Sequence, residues 1–165
     1  MSLALKKSTA ALALSLTLVA GPALAPAGQA LLPSASAADV ATPEVKVEDG
    51  YFTSNDGKKT KIYWKTNKVA NAKGTVVVLH GAAEHQGRYD YVTQKLNEAG
   101  YNVYRMDHRG HGRSALPELD NRIPRGHIDD FHFMADDVNI LVQKAKGENP
   151  GQKTFMLGHS MGALL

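Results

Sequence analysis

The chain has 165 residues, 19 basic and 16 acidic side chains, a formal net charge of +3 and no cysteine. That length holds about one domain, and the lack of cysteine excludes a disulfide framework, so an ordered fold must rest on its hydrophobic core. The basic residues form no block or stripe, which excludes the electrostatic footprint of a nucleic-acid-binding protein.

In chain order, the first element is a leader. Lys6 and Lys7 precede an apolar run over residues 10–20 that is broken only by Ser15 and Thr17. Gly21, Pro22 and Pro26 interrupt it, and Ala35-Ser36-Ala37 has the A-x-A form of a cleavage site. Residues 1–38 therefore read as a secretory signal peptide. The run is shorter than the roughly 20 apolar residues that a bilayer span needs. No stable membrane span is expected after cleavage, and the expected location is secreted or cell-envelope associated. Loss of Lys6 and Lys7 lowers the formal charge to +1.

Residues 39–165 are expected to form the folded part. Val45 and Val47 alternate with charges, as do Ile62 and Trp64, and Asn55-Asp56-Gly57 lies between them as a turn. This pattern predicts two antiparallel strands, each with one wet face. "GTVVVLHG" is a continuous β-branched run, which suits a strand buried on both faces of a parallel sheet. "YDYVTQKLNEAG" predicts an amphipathic helix with Tyr91, Val92, Leu96 and Ala99 on its apolar side and Gly100 as its stop. "YNVYRMD" is a further strand, followed by a long loop rich in Gly, Pro and Arg. "IDDFHFMADDVNILVQKAKG" predicts a longer helix, with Phe131, Met134, Ala135, Val138, Leu141 and Val142 at helical spacing. "KTFMLG" is a third short apolar strand. A β-α-β-α-β series behind a hairpin predicts an α/β fold with a mainly parallel sheet and right-handed crossovers. Sites in such sheets form at the C-terminal ends of the strands. Three loops fall there: at His80-Gly81, at Asp107-His108 and at Ser160.

Ser160 lies in Gly158-His159-Ser160-Met161-Gly162, a G-x-S-x-G sequence between a strand and a short helix-forming stretch. A serine hydroxyl is a poor nucleophile at neutral pH; it needs a base and donors for the oxyanion that forms. G-x-S-x-G supplies part of this by placing the serine on a strained strand-to-helix turn, with Gly158 and Gly162 leaving room where side chains would clash. His80-Gly81 follows the first buried strand, where this architecture places its other oxyanion donor. The Ala82 and Met161 N–H groups are the expected pair, while the His80 side chain is expected to bond nearby backbone. Asp107, His108 and His111 also make a D-H-x-x-H cluster, with His127 and His132 further on, but a metal site needs a full converging first shell, and none is assigned.

Four segments, "HGAAEHQGRYDYV", "MDHRGHGRS", "RGHIDDFHFMADDV" and "LGHSMGALL", in this order and spacing, resemble the monoacylglycerol lipase and lysophospholipase branch of the α/β-hydrolases, which is grouped with the serine aminopeptidase-like S33 hydrolases. The resemblance spans about residues 45–165. It implies the α/β-hydrolase fold, with Ser160 as nucleophile, Ala82 and Met161 as oxyanion donors, Gly158 and Gly162 as elbow glycines, and His80 and Gly81 as support. Glu84, His85, Arg88 and Tyr89 match the oxyanion loop, where structural bonding is expected. Asp107, Arg109, His111, Gly112 and Ser114 match the loop after the next strand, which they are expected to shape. The implied substrate is a lipid ester, monoacylglycerol or lysophospholipid, and no cofactor is needed. The same fold could instead hydrolyse a peptide, thioester or short-chain ester. The order of the family's triad is Ser, then Asp or Glu, then His, and only five residues follow Ser160. The chain is therefore expected to be the N-terminal part of a larger hydrolase, inactive by itself, poorly soluble and with an unpaired strand edge. Nothing in the pattern sets an oligomeric state.

Overall fold

The computed structural model describes residues 43–121 and 123–165. The leader assigned to residues 1–38 lies outside them. β1 (Val45–Thr53) and β2 (Lys61–Val69) form the antiparallel hairpin, in register from Val45 opposite Val69 to Thr53 opposite Lys61. The Asp56 carboxylate accepts from Lys58 N–H at 2.9 Å and bonds the Thr60 hydroxyl, so the turn is closed by its own aspartate.

β3 (Gly74–Leu79) is buried along its whole length, as the unbroken apolar run requires. β4 (Tyr101–Met106) and β5 (Thr154–Gly158) flank it, both parallel to it. β2 pairs antiparallel with β4, which gives one mixed sheet in the order β1-β2-β4-β3-β5. β3 thus has β4 on one side and β5 on the other. The chain leaves β3 in one direction and returns past it in the other, the arrangement that opens a crevice at the strand C-termini.

α1 (Asp90–Glu98) and α2 (Phe131–Glu148) make the two crossovers. Alternate residues of β3 point to opposite faces. Val77 and Leu79 pack with Val138, Leu141 and Ala145 of α2, together with Ile62, Tyr104 and Met106. Val76 and Val78 pack with Val103 and with Leu96 of α1. Each such side chain contributes about 1.5–3 kcal/mol when fully buried.

The α1 surface differs from the expected one. Thr93 and Asn97 are its buried residues, Val92 and Leu96 are half-buried, and Tyr91 and Ala99 are exposed. Asn97 replaces apolar packing with bonding: its Nδ2 donates to the Asn67 carbonyl at 3.1 Å and the Tyr101 carbonyl at 2.9 Å. In α2 the expected apolar positions hold except Phe131, which is exposed, while the polar Asp137 is fully buried. Among the described residues, no helix is long and apolar enough to cross a membrane.

Candidate active site

The loops that leave β3, β4 and β5 meet at one end of the sheet. The last of them is a sharp reversal. His159 is still extended, at φ −110° and ψ 130°, and Ser160 is turned to φ +51°. Few non-glycine residues adopt that left-handed region, and those that do cluster at functional sites. Residues Ser160–Leu164 then form a 3-10 turn. The two neighbouring glycines are required by contact. A Cβ on Gly162 would lie 2.6 Å from the carbonyl oxygens of both Leu79 and His80, and one on Gly158 would overlap the Gly162 carbonyl. The elbow is therefore pressed against the end of β3, and the His159 N–H donates to the Leu79 carbonyl at 3.0 Å.

The β3 loop faces it. Ala82 is exposed and Ala83 sits at φ +58°. Glu84 Oε1 accepts from the Gly81 N–H at 2.5 Å, the Tyr89 hydroxyl at 2.8 Å and His159 Nδ1 at 2.9 Å. Burial opposes ionisation of Glu84, but these donors outweigh it and bring its pKa down to about 2. Beside the loop opens a cleft of about 300 Å³, lined among others by Ala83, Glu84, His85, His111 and Arg125.

His80 bonds nearby backbone, as expected of it. Its Nδ1 donates to the Gly81 carbonyl at 2.7 Å, which leaves Nε2 to accept the His108 N–H at 3.0 Å. His108 Nε2 in turn lies 3.2 Å from the His80 carbonyl. Both rings are fully buried, and burial lowers both pKa values; His108, next to His80 and His111, falls to about 3. His111 is buried too and bonds the Arg109 carbonyl. Among the described residues, none of these histidines bonds Ser160, and His159 is turned to Glu84.

The β4 loop is held by Asp107 and Arg109. The Asp107 carboxylate accepts from Gln86 N–H at 2.7 Å and Arg113 N–H at 2.8 Å, so it joins its own loop to the β3 loop. Ser114 Oγ donates to the Asp107 carbonyl and accepts the Tyr63 N–H. Arg109 is fully buried and reaches Asp129 at 2.8 Å, Asp137 at 2.8 Å and Asp56 at 3.5 Å. Sequence reasoning placed Arg109 in the loop but missed these partners. The only local signal was Asp129-Asp130 ahead of α2, where Asp130 is the N-cap and accepts the His132 N–H at 2.8 Å. Groups of at least three His, Cys, Asp or Glu side chains that could hold a metal ion do not occur among the described residues.

A five-stranded mixed sheet with a parallel centre, two crossover helices and a serine on a left-handed turn after β5 defines an α/β-hydrolase. The chain belongs to the serine aminopeptidase S33 family, whose model matches residues 70–165. It is 43% identical over 90 residues to a monoacylglycerol lipase of Mycolicibacterium smegmatis, covering 54% of this chain and 30% of that one. It is 36% identical over 103 residues to the human monoglyceride lipase, covering 62% and 31%. Among solved structures, a carboxyl esterase from Bacillus coagulans superposes with a TM-score of 0.64 at 33% identity, covering 72% of this chain and 37% of the esterase. The chain thus spans about a third of the length of the curated relatives it matches.

Proposed function

We propose that the protein is a serine hydrolase that cleaves carboxylic esters of lipids, with a monoacylglycerol or lysophospholipid as substrate. The observation that carries this reading is Ser160 at φ +51° on a turn packed against the end of β3. The lipase names of its relatives supply the substrate class. In this reading the Ser160 hydroxyl attacks the ester carbonyl. The Ala82 and Met161 N–H groups receive the negative charge that develops on oxygen. The alcohol leaves, and water hydrolyses the acyl-enzyme to release the fatty acid. The base that takes the serine proton is none of His80, His108, His111 and His159, whose ring nitrogens are engaged with other groups. No cofactor takes part. The leader assigned to residues 1–38 exports the protein to the envelope or beyond.

Labelling of the intact protein with a fluorophosphonate, beside Ser160→Ala, tests the nucleophile. Labelling should vanish in the variant, and kcat on monoacylglycerol should fall by about a millionfold, the scale of losing an activated serine. Labelling that survives the substitution overturns the assignment. The family description names aminopeptidases, which favours a peptide as the second substrate class. Higher kcat/KM on an aminoacyl amide than on monoacylglycerol would establish it instead.

A further inference from the structure

We infer that Glu84 is a positioning residue that fixes the oxyanion loop against the serine elbow, and so sets the spacing of the Ala82 and Met161 N–H groups. The inference rests on Ser160 being the nucleophile.

One oxygen carries the link. Glu84 Oε1 takes the N–H of Gly81, the residue before Ala82, at 2.5 Å. The same oxygen takes Nδ1 of His159, the residue before Ser160, at 2.9 Å. The Tyr89 hydroxyl is its third donor, at 2.8 Å, and Arg88 Nε stands 3.5 Å from Oε2. The loop and the elbow are 75 residues apart in sequence along this contact. They approach so closely that a Cβ on Gly81 would lie 3.0 Å from both Glu84 Oε1 and His159 Nδ1. The Glu84 side chain is only 10% exposed, so water competes little for its oxygens. An oxyanion is stabilised only when both donors reach the place where its charge develops. The Leu79–His159 backbone bond holds the elbow to β3 but does not hold the loop. Glu84 holds both.

The test uses the intact protein with Glu84→Ala and Glu84→Gln, active sites being counted by phosphonate titration. Per titrated site, kcat of Glu84→Ala should fall about a hundredfold, the scale of misplacing a catalytic group by about 1 Å. KM should hold within about twofold, because ground-state binding does not use the oxyanion contacts. Glu84→Gln keeps one acceptor oxygen and should recover part of the loss. A kcat per site equal to wild type in Glu84→Ala overturns the inference, since a merely structural role lowers the number of sites and not their rate. If Glu84→Ala does not fold, the Gly81 amide proton decides through its NMR shift in Glu84→Gln. It should move upfield as its charged acceptor becomes neutral, and an unchanged shift overturns the inference. Labelling that persists in Ser160→Ala marks failure of the nucleophile reading separately.

Discussion

At the residue scale, the serine turn is held by contacts that cannot give way. The neighbours of Gly162 are the backbone oxygens of Leu79 and His80, at the end of the most buried strand. Gly162→Ala must push the elbow off β3 or bend β3 itself. Overpacking of this kind costs about 1–3 kcal/mol. The variant should melt earlier by that amount in thermal denaturation and lose phosphonate labelling, because Met161 moves with the turn. Gly147 is the internal control: beyond its chain neighbours and its own helix backbone nothing lies within 4 Å of a Cβ there, so Gly147→Ala in α2 should match or exceed wild-type stability.

At the element scale, the loop after β4 is built around buried imidazoles. The His80 and His108 rings lie 4.3 Å apart, and His80 and His111 5.4 Å apart. His108 is neutral in the fold down to about pH 3, because burial and its two histidine neighbours disfavour its charge. In the unfolded chain it titrates near 6.5. Between those values the unfolded state binds the extra proton, so stability is full above about pH 6.5 and falls as the pH drops. Each such histidine contributes at most about 1.4 kcal/mol per pH unit. Glu84, Asp129 and Glu148, with pKa values near 2, work in the same direction but begin to lose their contribution only near the unfolded carboxylate range of about 4. Above about pH 5.5 these three carboxylates are ionised in both states, so the window from about pH 6.5 to 5.5 reports chiefly the histidines, with the raised pKa of buried Asp137 acting in the opposite sense. Calorimetric melting temperature should fall across it, and His108→Asn should flatten the fall. An equal slope in that variant would refute the burial argument.

At the scale of the whole molecule, β5 is the exposed part of the design. It forms one edge of the five-stranded sheet, and Phe155, Met156 and Leu157 are 47%, 49% and 43% exposed. An apolar edge strand is a template for pairing with another chain. A polypeptide of residues 39–165 alone should self-associate at micromolar concentration, and Met156→Lys should lower its light scattering. Monodisperse behaviour without the substitution would count against the exposed edge as a sticky surface. Arg109 works at the same scale. It ties the hairpin turn at Asp56 to Asp129, just ahead of α2, and to Asp137 within α2, so the hairpin and the α2 region both close on one buried cation of the β4 loop.

Much of this was readable in the sequence. The unbroken "GTVVVLHG" run identified the fully buried strand, Asn55-Asp56-Gly57 the hairpin, and the glycines around Ser160 the sharp turn, because each reports on burial or backbone geometry within a few residues. Tertiary structure decided what depends on distant neighbours. It turned Asn97 inward on α1, where its amide donates to the Asn67 and Tyr101 carbonyls, and buried Thr93 on the same helix. It gave Arg109 its three aspartates, and it joined Glu84 to His159. Periodicity records whether a position is covered; only the packed chain determines which remote group satisfies a buried charge, since an unpaired one costs more than the fold can spare.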